Sequence, residues 1–125
     1  MLQLSLDRPG DHLFVRAATA GAITVVDRTL SKSFVLTPTQ TIDNWSVREV
    51  AALDAAALAP IFALQPEVVI LATGARIVFP PARVRAEFLT RGIGVETMDN
   101  AAASRTFNVL AGEGRRVAAA FIVPG

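Results

Sequence analysis

Apolar and polar positions follow different patterns in the two halves of the chain. In the first half, short apolar or β-branched runs lie at residues 12–18, 22–26, 33–37 and 41–44. Such runs, separated by residues that favour turns, are typical of successive antiparallel strands. The first half therefore predicts a β meander, and the residues expected to separate its strands are Gly21, Asp27-Arg28, Pro38 and Asn44.

A helix is predicted where this pattern changes. In residues 55–64, Leu58, Ile61 and Phe62 recur at the spacing of one helix face. Asp54 comes directly before this segment, and an aspartate there can accept hydrogen bonds from the first free N–H groups of a helix. We expect Asp54 to cap the helix.

Strands and helices alternate in the second half. Uninterrupted or strand-like apolar runs at residues 68–72, 93–98 and 117–123 are separated by helical patterns at 82–91 and 100–111. We expect Val84, Phe88 and Leu89 of the first of these helices to face the core, and Asp99 to cap the second. The second half thus predicts β-α-β-α-β, with right-handed crossovers between parallel strands.

Composition supports one folded α/β domain covering residues 1–125. The chain is 52% hydrophobic and 18% charged, with a mean hydropathy of +0.45, so it can bury a sizeable core. The net charge is only +1, and no segment concentrates positive charge to the degree that a phosphate backbone or an anionic membrane surface would demand, which argues against both as partners.

The distribution of apolar residues also predicts where the protein resides. No apolar stretch reaches the roughly 18 residues of a membrane-spanning helix, so we expect no membrane insertion. Residues 1–10 lack the basic and apolar regions of a secretory signal, which predicts a cytoplasmic protein. Only one of the twelve basic residues is a lysine, Lys32, and alanine is abundant, as in bacteria with GC-rich genomes.

The usual catalytic and metal-binding residues are scarce. There is no cysteine, the only histidine is His12, and no serine lies in a Gly-x-Ser-x-Gly turn. The carboxylates do not recur at metal-ligand spacing. The sequence predicts no catalytic residue, no bound metal and no cofactor.

Two polar features remain as candidate sites. Thr73-Gly74 follows a buried strand, where backbone N–H groups could bind an anion or a small ligand, or where glycine serves only as a tight strand exit. Asp99, Arg105 and Asn108 belong to a helix whose small alanines would let another backbone approach. In the structural alternative, Asp99 caps the helix, Arg105 pairs with a carboxylate and Asn108 satisfies a loop.

These segments also resemble a known family. The similarity is dense over residues 66–123, with Ile23, Phe34 and Trp45 as landmarks earlier in the chain, and its motifs are Thr73-Gly74, Gly92-Ile93-Gly94-Val95-Glu96-Thr97-Met98-Asp99, Ala102-Ala103-Ser104-Arg105-Thr106-Phe107-Asn108-Val109-Leu110 and Glu113-Gly114-Arg115-Arg116-Val117-Ala118-Ala119-Ala120. Together they resemble the mitochondrial complex I assembly factor 3 family and its prokaryotic relatives. The resemblance implies a three-layer domain with a central mixed sheet and covering helices. Family members often carry cysteine at Ser104 and tyrosine at Phe107, so the resemblance gives no essential role to a thiol or phenol there.

The resemblance implies a role in protein contacts. The leading hypothesis is a non-enzymatic domain that binds partner proteins, in respiratory complex I assembly by resemblance, and that exists as a monomer or weak homodimer. The alternative is a small-molecule-binding or weakly enzymatic domain that uses the Thr73-Gly74 turn with Arg105 and Asn108.

Overall fold

Two β-sheets and three α-helices make up residues 11–124, the part of the chain that the computed structural model describes. The expectation about a secretory signal concerns residues 1–10 and lies outside these residues. The smaller sheet is antiparallel and contains three consecutive strands, β1 (Val15–Ala18), β2 (Ile23–Val25) and β3 (Arg28–Leu30). It corresponds to the first part of the predicted meander.

The larger sheet is mixed and has five strands in the order β5-β4-β8-β6-β7. The strands are β4 (Phe34–Leu36), β5 (Thr41–Ile42), β6 (Val68–Ala72), β7 (Gly94–Met98) and β8 (Val117–Phe121). β6 runs parallel to both β7 and β8, whereas β4 is antiparallel to β5 and β8. The predicted mixed sheet is confirmed, and the run that ends the chain forms its central strand.

Helices cover both faces of this sheet. α1 (Ala55–Ala63) and α2 (Ala82–Leu89) pack on one face, and α3 (Asn100–Gly112) packs with the three-stranded sheet on the other. β6 connects through α2 to β7 in one direction across the sheet, and β7 connects through α3 back to β8 in the opposite direction. Right-handed crossovers in opposite directions put their helices on opposite faces. The expected three layers and the β-α-β-α-β order are both present.

The central strand, β8, has no polar residue because it is buried on both faces of the sheet. All five residues of β8 are buried, because α1 and α2 cover one face and α3 covers the other. Three consecutive alanines, Ala118 to Ala120, leave room for these helices to approach closely. Phe121 at the end of β8 stacks on Phe34 of β4, with ring centroids 5.1 Å apart.

The expectation that Asp27-Arg28 only separates strands was wrong for Arg28. Arg28 begins β3 and pairs with Val25, so the connection between β2 and β3 is the two residues Val26-Asp27. Val26 takes a left-handed φ of 54°, which is rare for a β-branched residue. The sequence predicts no turn of this kind because two-residue hairpin loops normally contain glycine or asparagine at such positions.

The expectation that Leu89 faces the core was also wrong. Val84 and Phe88 are buried, but Leu89 is 69% exposed. α2 has eight residues and ends at Leu89, and the next position after Phe88 turns about 100° around the helix, away from the sheet. A hydrophobic residue at the end of a short helix is therefore directed to solvent.

Candidate functional site

The Thr73-Gly74 turn lies at the carboxyl end of β6, where ligands of open sheets bind. Its polar groups are already engaged. The Thr73 hydroxyl donates to the Arg76 carbonyl at 2.6 Å and accepts from the Val78 N–H at 3.1 Å. Gly74 has a φ of 104°, which explains the requirement for glycine.

A buried asparagine that sequence reasoning missed completes this turn. Asn100 Oδ1 accepts from the Gly74 N–H at 2.9 Å, and Asn100 Nδ2 donates to the Ile122 carbonyl at 3.1 Å. The Asn100 N–H also donates to the Gly74 carbonyl at 2.8 Å. Asn100 thus connects the chain segments after β6 and β8 to the start of α3. The sequence hints at this role only in that Asn100, a polar residue, directly follows the aspartate that caps the helix. Helices on protein surfaces show the same pattern.

Asp99 caps α3 as predicted. Its carboxylate accepts from the Ala102 N–H at 2.7 Å, and the helix begins at the next residue, Asn100. This bond satisfies one of the free N–H groups of the first turn. Asp99 therefore lies beside the Thr73-Gly74 turn, at the same edge of the sheet.

Arg105 and Asn108 lie further along α3, facing β1. The Asn108 amide accepts from the Val15 N–H at 2.8 Å and donates to the Val15 carbonyl at 2.9 Å. Arg105 is exposed and, with Asn108, Ala101 and Ser104, lines a shallow cleft of about 180 Å³ beside β1. The backbone that approaches the small alanines of this helix is thus β1 of the same chain.

The five predicted site residues therefore form two groups. Thr73, Gly74 and Asp99 lie together at the strand end, whereas Asn108 lies eight residues into α3, about 12 Å along the helix axis. Arg105 lies between Asp99 and Asn108 in the sequence, and its side chain is exposed on α3.

Of the large apolar side chains within residues 11–124, the two most exposed, Phe79 and Leu89, belong to the connection between β6 and β7, residues 73–93. Ile77 and Val78 are about half exposed and Phe79 is 74% exposed. The neighbouring Pro80 is buried and anchors the loop. Sequence reasoning missed this apolar segment, although three consecutive apolar residues between Gly74 and Pro80, outside any strand or helix, were a usable signal.

This β6–β7 connection is also the most basic part of the chain. It contains four arginines and one acidic residue, Glu87, giving a net charge of +3 in a chain whose total is +1. Arg91 pairs with Glu87 at 2.7 Å, and Arg83 donates to the Leu53 carbonyl. Among residues 11–124, the side chains of Arg76 and Arg85 have no hydrogen-bond or ion-pair partner. These two guanidinium groups are available to an external molecule.

Metal-binding clusters and membrane-spanning helices are not found within residues 11–124. No group of three or more histidine, aspartate or glutamate side chains there could hold a metal ion. No helix in the same range is long and apolar enough to cross a bilayer.

Comparison with known families identifies the chain. Residues 15–122 match the family of proteins of unknown function DUF498/DUF598, which covers most of the chain. The chain belongs to the DUF498/DUF598 family. The resemblance is supported by a zebrafish (Danio rerio) protein, NADH dehydrogenase [ubiquinone] 1 alpha subcomplex assembly factor 3. It is 40% identical to this chain over 83 residues. That match covers 65% of this chain and 48% of the zebrafish protein, so it spans about half the length of the relative. The resemblance derived from residues 66–123 is confirmed.

Solved structures of similar proteins share the fold over nearly the whole chain. A Xanthomonas campestris protein solved by NMR is 44% identical, with a TM-score of 0.85, over 99% of this chain and 94% of that one. A Bordetella pertussis protein described as a Mth938-like domain is 28% identical, with a TM-score of 0.79, over 99% and 94% of the two chains. The three-layer architecture is therefore common to these proteins.

Proposed function

We propose that this DUF498/DUF598 protein is a non-enzymatic domain that binds a protein partner through the exposed apolar loop Ile77-Val78-Phe79, in the assembly of respiratory complex I. The observation that supports this most is the exposure of the three apolar residues in one loop, with Phe79 74% exposed. Exposed apolar clusters on small proteins are characteristic of interaction sites. The link to complex I rests on the name of the zebrafish relative, of which this chain matches about half.

The loop is ordered before any partner binds. The Thr73 hydroxyl bonds to both Arg76 and Val78, and Pro80 is buried beneath the loop. A loop that is already fixed loses less conformational entropy on association. Phe79 lies in this hydrogen-bonded loop, and aromatic side chains are among those that contribute most to binding energy at interfaces.

The charges beside the loop specify the chemistry of the partner. Arg76 directly precedes the apolar residues and Arg85 follows them in α2, within a segment that has a net charge of +3. A partner that complements this surface has an apolar pocket for Phe79 and acidic residues at the rim of that pocket. Such charges steer the encounter and fix its orientation more than they raise the affinity.

Affinity capture with matched variants tests the proposal. The tagged wild-type protein, Phe79→Ser and Val109→Ser are expressed in the native cells and captured partners are identified by mass spectrometry. Val109 is a suitable control because it is 58% exposed on α3, away from the loop. We expect complex I subunits or their assembly partners with wild type and Val109→Ser, and their loss with Phe79→Ser. Equal recovery with all three variants, or recovery of no partner together with normal complex I in a deletion strain, would contradict the proposal.

The same proposal includes location and assembly state. We propose a bacterial protein, because similar proteins come from Xanthomonas campestris and Bordetella pertussis. We also propose that it is cytoplasmic and acts as a monomer or weak homodimer.

The small-molecule alternative has less support. It requires the Thr73-Gly74 turn to act with Arg105 and Asn108, but the Gly74 N–H is bonded to Asn100 and the Asn108 amide to Val15. A metabolite-induced rise in melting temperature that Arg105→Ala abolishes would revive it.

A further inference from the structure

A second candidate site lies at the opposite end of the large sheet. A cleft of about 410 Å³ opens at the amino ends of β6 and β8, within the size range of small-molecule sites. Its apolar lining includes Leu64, Pro66 and Val117, and its charged and polar lining includes Asp11, His12, Arg115 and Arg116. The apolar loop of the proposed function follows the carboxyl end of β6, so the two surfaces are separate.

Arg115 and Arg116 are each held in place through the Nε atom of the guanidinium group. Arg115 Nε lies 3.1 Å from Glu67 Oε1, and Arg116 Nε donates to the Gln65 carbonyl at 3.3 Å. Glu67 Oε1 also accepts from the Arg116 N–H at 2.9 Å. Within residues 11–124 the terminal amino groups of both guanidinium groups make no hydrogen bond. A guanidinium fixed through Nε presents its other two nitrogens as a fork that matches a carboxylate.

His12 contributes its imidazole ring to the lining of the cleft. Its Nδ1 lies 2.8 Å from the Leu13 carbonyl oxygen, and because a carbonyl can only accept, Nδ1 donates this hydrogen bond. Nε2 lies 3.9 Å from the position that a Cβ at Gly112 would occupy, which is an ordinary van der Waals distance. The ring edge therefore packs against the end of α3.

Two carboxylates lie near the two guanidinium groups, Asp11 in the lining of the cleft and Glu67 beside it. The hydrogen bond from the Arg116 backbone and that from Arg115 hold the pKa of Glu67 below its usual value, so Glu67 is ionised at neutral pH. It offsets one of the two guanidinium charges. The last carbonyls of α3 carry a partial negative charge that would repel an anion. They already accept hydrogen bonds from the N–H groups of Glu113, Gly114 and Arg115.

From this geometry we infer that the cleft binds a small organic acid, with its carboxylate on Arg115 and Arg116 and its apolar body against Leu64, Pro66 and Val117. This inference is independent of the loop that contacts the protein partner. The ligand class follows from the forked guanidinium groups and the apolar part of the lining.

An NMR titration with two probes of the same shape tests the inference. Benzoate and benzamide differ in charge but hardly in size, and each is added to the labelled full-length protein at constant ionic strength and neutral pH. His12 is the only histidine, so its imidazole resonances are assigned without ambiguity. We expect benzoate to shift His12, Gly112 and Gly114 in a saturable way, and benzamide to bind at least about tenfold more weakly, as the loss of a charge-assisted pair predicts.

Variants separate this cleft from general anion binding. Arg115→Gln and Arg116→Gln are expected to weaken benzoate binding at least about tenfold, whereas Arg16→Gln, at an exposed arginine of β1 that does not line the cleft, leaves it unchanged. Equal binding of benzoate and benzamide, shifts that do not saturate, or shifts that persist in both cleft variants would overturn the inference. The comparison of the two probes uses the wild-type protein, so the test holds even if a variant fails to fold.

Discussion

Replacing Asn100 by alanine is the most informative perturbation of the fold, because one side chain joins three segments. Asn100 is 1% exposed and bonds to the Gly74 N–H and the Ile122 carbonyl, both buried. Asn100→Ala leaves both backbone groups without their partner. Each such group costs about 1–3 kcal/mol, and a water molecule in the vacated space recovers part of that. We expect the free energy of unfolding to fall by about 3 kcal/mol.

Urea denaturation followed by circular dichroism measures this loss. With a urea dependence of about 2 kcal/mol per molar, the midpoint moves down by about 1.5 M. Val109→Ala, an exposed position on the same helix, is the control, and its midpoint should hardly change.

An isosteric variant separates hydrogen bonding from volume. Asn100→Asp keeps the size and the acceptor for Gly74 but turns a carboxylate oxygen towards the Ile122 carbonyl. It should destabilise the protein at neutral pH at least as much as Asn100→Ala. A loss below about 1 kcal/mol for both variants would refute the role assigned to Asn100.

Three further outcomes follow from the structure. Gly74→Ala should lower the free energy of unfolding by about 1–2 kcal/mol, because alanine is strained at a φ of 104°, and thermal denaturation checks it. Asn108→Ala should cost about 1–2 kcal/mol in urea denaturation through its two lost bonds to β1, with native amide chemical shifts retained in α1 and α2. The hydrogen bond from Arg28 lowers the pKa of Asp43. Because the pair is exposed, it contributes less than about 1 kcal/mol to the free energy of unfolding. This contribution is present above about pH 5 and is lost as the pH falls through the lowered pKa of Asp43. Asp43→Asn should therefore lose less stability than wild type between pH 7 and pH 3, and an equal loss would contradict this assignment.

The second half of the fold could be predicted because its patterns are local. A strand covered on both faces has no polar position, as in β6 and β8, and Asp99 marks the start of α3 through a bond three residues away. The errors arose where the environment of a residue depends on distant segments. The orientation of Leu89 depends on where α2 ends, and β3 depends on a left-handed Val26 that no local rule favours.

The candidate site was harder to predict than the fold. Asn100 and Asn108 look alike in the sequence, yet one is buried between strand ends and the other pairs with β1, because tertiary contacts decide which groups need a partner. The run Ile77-Val78-Phe79 is visible in the sequence between Gly74 and Pro80, but hydrophobicity alone does not predict that it is exposed, since apolar runs of this length are more often part of the core.

Site-specific photocrosslinking in the native cells tests most directly whether the exposed loop contacts a protein partner. Phe79→p-benzoylphenylalanine is compared with the same replacement at Val109, which is also exposed but lies on α3. Irradiation should produce a discrete covalent adduct with a protein of respiratory complex I or its assembly machinery from position 79 and none from position 109. No adduct at position 79, or the same adduct from both positions, would contradict the account.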